Sequence, residues 1–147
     1  MREESQEIWA HRDEFEKLGV RLVLVVREWI QREIDAFAPA YWGGEYYFDP
    51  ESVLYATTQG GEIKKASKLS LLNPFSTYAG GGFRNGMAAY RRGKVAESNF
   101  KGDGTTLGGI LAYGKGGKLV YRHAEADFGV LPPLEEVVEA ARKAANA

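Results

Sequence analysis

The chain has 147 residues, 44% of them hydrophobic and 27% charged, with a formal net charge of -1. That is the profile of one ordinary globular domain with its own core, and it gives no general drive toward nucleic acid or an anionic surface. With no cysteine anywhere in the sequence, it excludes a disulfide scaffold, a thiolate nucleophile, a zinc–thiolate centre and an iron–sulfur cluster in these residues.

The first stretch, MREESQEIW, is charged and has no apolar core of the kind a secretory signal needs, so a cytoplasmic location is expected. No apolar run approaches the roughly 18 to 20 residues of a membrane span. Residues 3–18 read as a helix with Ile8, Phe15 and Leu18 near one face and Glu3, Glu4 and Glu7 in the early turns. Lys17 and Gly19 suit its end. His11 lies beside the apolar face and reads as a packed, hydrogen-bonded histidine; Trp9 either flanks that face or contacts something outside the chain. VRLVLVV at 20–26 has almost no polar interruption, the pattern of a strand covered on both faces, as in a parallel sheet. Helix then buried strand then helix is the logic of an α/β protein.

A helix over 28–37 follows, buried through Ile30, Ile34 and Phe37 and ended by Ala38 and Pro39. Tyr41 to Gly44 turn the chain into a short aromatic strand, Glu45 to Phe48. Asp49 as N-cap and Pro50 at the first helical position then predict a brief helix over 51–57. The aromatic group Tyr41, Trp42, Tyr46, Tyr47, Phe48 and Tyr55 reads as core with polar tips rather than as a stacking surface.

Residues 60–104 form a glycine-rich, basic insertion, and 62–102 hold eight Lys or Arg against two acids. A structureless loop of this length is exceptional in a compact domain, so helices are expected at about 82–92 and 67–72. Next come two strands, Gly109 to Tyr113 and Lys118 to Arg122, with Ile110, Ala112, Leu119 and Tyr121 at a period of two and Gly116-Gly117 in the turn. After Gly129, Pro132 and Pro133 lead into a last helix with the stripe Leu134, Val137, Val138 and Ala141. Glu135 and Glu136 lie early in it, and Arg142 and Lys143 late.

No constellation meets the demands of a known chemistry, so no catalytic, cofactor or metal residue is assigned. His11 and His123 are the only histidines, too few for a zinc site of at least three protein ligands without a clustered HxxxH or HxxE. Asp103 and Asp127 read as turn or cap residues, and Ser5 has no histidine relay. The run Gly80 to Gly82 before Phe83, Arg84 and Asn85 lacks the lysine and hydroxyl residue of a P-loop. The basic insertion reads first as a solvated surface segment and, as the functional alternative, as a site for an acidic partner or an anion, with nucleic acid disfavoured by the overall charge.

Four segments together resemble the peroxiredoxin-like 2 family, thioredoxin-like members of the AhpC/TSA superfamily: FEKLGVRLVLVV at 15–26, KLSLLNPF at 68–75, NFKGDGTTLGGILAYGKGGKLVYRHAEADFG at 99–129 and PLEEVVEAA at 133–141. The resemblance covers almost the whole chain as one domain and implies a thioredoxin-like α/β sheet with flanking helices. Active members resemble thiol-dependent reductases of peroxides, with a CxxC motif at a helix N-terminus, where the dipole favours a thiolate. The second family cysteine precedes a stretch like Arg2, Glu3 and Glu4, so its place falls on Met1, and methionine is not an ionisable nucleophile. The resemblance also implies that one central strand is missing at the N-terminus, between the strands at 20–26 and 109–113. Those strands then close the gap or keep open edges, which invite an oligomer. Three accounts follow: a longer product with a misassigned start or a misread codon, a truncated redox-dead relative, or a structural or binding partner that pairs through the open edges.

Overall fold

In the computed structural model, residues 2–65, 106–126 and 130–147 are described. The N-terminal helical stretch is two helices, α1 (Arg2–Ala10) and α2 (Arg12–Lys17), pinched at His11. At the pinch, backbone bonds His11 N–H to Ile8 O and Glu14 N–H to His11 O tighten to three-residue spacing. The sequence pattern gives one helix here because the apolar face carries on through the break. Gly19, at φ 70°, turns the chain as expected of a C-terminal glycine.

β1 (Val23–Val26) is shorter than the apolar run, since Val20 N–H is still bonded to Phe15 O and only the last four residues find a ladder. α3 (Gln31–Tyr41) crosses to β2 (Glu45–Phe48), which pairs parallel with β1 in the register Val23 to Glu45 through Val26 to Phe48. This is a right-sized βαβ unit, and β2 has the boundaries expected from sequence. α3 begins three residues later than expected and runs through Pro39 to Tyr41. Its final turn is held by one tertiary bond, Gln6 Nε2 donating to Ala40 O (3.2 Å), and by the i,i+4 stack of the Phe37 and Tyr41 rings within the helix at 5.4 Å. Those contacts outweigh the local preference of a residue before proline.

α4 (Val53–Thr58) also starts later than the pattern indicates. Ser52, not Asp49, occupies the flanking position, at φ 58°. Asp49 still does the capping: its carboxylate accepts from Val53 N–H (2.9 Å) and Leu54 N–H (2.8 Å). The expected helices at 67–72 and 82–92 lie outside the described residues.

β3 (Gly109–Tyr113) and β4 (Leu119–Ala124) form the antiparallel hairpin, joined by a short 3₁₀ turn at Lys115–Gly117. Gly116 and Gly117 take the positive φ values, 72° and 79°, that the turn demands. β4 extends to Ala124, two residues past the expected end. α5 (Leu134–Asn146) lies across the hairpin and buries Val137, Ala140, Ala141 and Ala144, so the terminal alanines are a close-packed surface rather than a frayed tail. The core is centred on Phe15, 1% exposed, against Val137 and Ala141, with Val20, Leu22 and Ile110 packed on it.

Candidate functional site

Among the described residues the strands make two separate two-stranded sheets, β1–β2 and β3–β4, with no ladder between β1 and β3. Both strands instead line one slot with a cavity volume of about 550 Å³. Its floor is the Phe15, Val137 and Ala141 cluster, and its walls are the inner edges of β1 and β3.

The polarity of those edges follows from the pleat, because successive residues turn their N–H and C=O to opposite sides of a strand. Val26 O accepts from Asp49 N–H (2.8 Å) on the β2 side, so Leu24 and Val26 serve that ladder while Val23 and Val25 face the slot. Gly108 O accepts from Glu125 N–H (3.1 Å), so Ile110 and Ala112 serve β4 while Gly109 and Leu111 face the slot. Gly109 has to be glycine: its φ is 150°, and a β-carbon there meets His123 O.

One end of the slot is a polar clamp. Tyr55 Oη donates to Val25 O (3.2 Å), and its ring lies 3.6 Å from where a β-carbon on Gly108 would sit. The end of β1 and the start of β3 therefore lie together, and the two walls run in opposed directions. Glu125, 4% exposed, accepts from Gly108 N–H at 2.7 Å, and Gln59 Nε2 donates to Gly108 O at 2.8 Å. Burial, then the nearby Glu125 charge, pushes the Tyr55 phenol above its ordinary pKa, which keeps it a neutral donor. Gln59 and Glu125 were not singled out from sequence. The only signal was Tyr121, His123 and Glu125 at the strand period, which placed a carboxylate on an inward register.

The candidate residues of the sequence do not converge. His11 Nδ1–H donates to Glu7 O (2.9 Å), and His123 Nε2–H donates to Val130 O (3.1 Å), each a local backbone bond. The hydrogen-bonded reading of His11 holds, although it is only half-buried. Ser5 is buried at the slot margin. Asp103, Asp127 and the segment Gly80 to Asn85 lie outside the described residues. Among the described residues no three His, Cys, Asp or Glu side chains group as a metal site, and no helix is long and apolar enough to cross a membrane.

The aromatic group divides. Trp42 is 4% exposed, its Nε1–H donates to Glu45 O, and Tyr46 Oη donates to Trp42 O, as a core with polar tips requires. Tyr47 and Phe48 are each 49% exposed, Tyr47 at the slot lining and Phe48 with its ring edge-on to Trp29 at 6.1 Å. Trp9 packs inside the chain, 5.0 Å from the Trp42 ring and against the Gly43-Gly44 turn, where a β-carbon on Gly44 would come within 2.6 Å of it.

A βαβ unit beside an antiparallel hairpin, with helices across them and a slot between, is a thioredoxin-like α/β arrangement. Residues 7–127 match the family model described as AhpC/TSA antioxidant enzyme. The chain belongs to the AhpC/TSA antioxidant enzyme family. It is similar to peroxiredoxin-like 2A of Danio rerio, 33% identical over 143 residues, which is 97% of this chain and 61% of that protein. The same-named proteins of Xenopus tropicalis (32%, with 57% of the relative covered) and Gallus gallus (33%, with 58% covered) match over the same length and the same share of this chain. The chain thus spans about three fifths of the length of these relatives. No solved structure matches it. Lacking cysteine, these 147 residues contain no peroxidatic thiol.

Proposed function

We propose that this chain is a redox-inactive, thioredoxin-like domain of the peroxiredoxin-like 2 branch, with no CxxC motif in these 147 residues. The observation that carries the reading is the absence of cysteine in a chain that otherwise matches the family from residue 7 to residue 127. Thiol-dependent peroxide reduction needs a sulfur nucleophile that ionises near neutral pH, and no other residue type replaces it. The test is reduction of hydrogen peroxide and of an organic hydroperoxide with dithiothreitol or thioredoxin as reductant. The expected rate equals that of a no-protein control; turnover above that control overturns the reading.

A second reading is favoured by the slot and by the length of the relatives. The chain then serves as the non-catalytic part of a longer oxidoreductase whose cysteine lies on a segment outside these residues. Intact mass and N-terminal sequencing of the protein from its natural source separate the two. A heavier product with a cysteine or selenocysteine upstream of Met1 supports the second, and a product that starts at Met1 supports the first.

Three further points belong to the same proposal: one domain over 1–147, a cytoplasmic location, and an acidic partner or anion at the basic residues of 62–102. The last rests on charge alone, and binding that does not weaken as salt rises counts against it.

A further inference from the structure

We draw no further inference here: the strongest candidate, the exposed aromatic patch of Trp29 and Phe48 at the carboxyl ends of β1 and β2, carries nothing because no contact among the described residues shows what covers it.

Discussion

β3 and β4 are neighbours in sequence, pair antiparallel and lie under α5, whose alanines pack closely on them. β1 and β2 are joined through α3, pair parallel, and leave Tyr47 and Phe48 half in water. Antiparallel pairs tolerate one wet face, whereas parallel strands are ordinarily covered on both. The hairpin half can therefore keep one face in water, while the βαβ half depends on the shared Phe15 floor. The two walls of one site have unequal stability.

The largest way to break that comparison is to remove what the halves share. Phe15→Ala empties the most buried side chain, and a loss of about 3 to 5 kcal/mol is expected in urea unfolding, with both halves melting together. A smaller effect confined to α2 contradicts a shared floor. Gly109→Ala strikes the hairpin wall alone. Its positive φ and the approach to His123 O predict a cost of about 3 kcal/mol, visible as lost amide protection across β3 and β4. Asp49→Ala strikes the other half by freeing the amides of Val53 and Leu54, at about 1 to 2 kcal/mol, with faster exchange in α4 and β2 and none in the hairpin.

The smallest effect sharpens the comparison by pH. Tyr121 donates to Glu136 on α5, and burial first, then that bond and charge, push its phenol up to about 12. An ordinary tyrosine ionises near 10. Its contribution is thus fully present below about pH 10 and is lost as pH rises toward 12, because the unfolded chain releases its proton first. Tyr121→Phe is expected to cost only about 0.5 kcal/mol at neutral pH and to flatten the alkaline fall in a urea-midpoint titration. An unchanged alkaline slope argues against the pairing.

Much of the fold was legible because local signals and tertiary structure agree. The β2 boundaries, the Gly19 turn, the hairpin and its Gly116-Gly117 turn, and the stripe of the last helix all follow from residue type and period. The misses fall where distant contacts decide: α3 passes Pro39 where Gln6 holds its end from another helix, and β1 loses Val20 to Leu22 because no ladder reaches them. The clamp was legible only in the strand period that ends on Glu125, since Gln59 lies 49 and 66 positions from Gly108 and Glu125. An open gap between β1 and β3 was expected only through the family resemblance, as composition and period say nothing about which strand edges meet.

The most direct test of the slot is amide exchange on the chain by itself at low concentration. Open inner edges predict a period-two pattern: Leu24, Val26, Ile110 and Ala112 protected by their ladders, Val23 and Leu111 exchanging far faster. Uniform protection along β1 and β3 would show that the two walls are already paired, and the account of an open slot would be wrong.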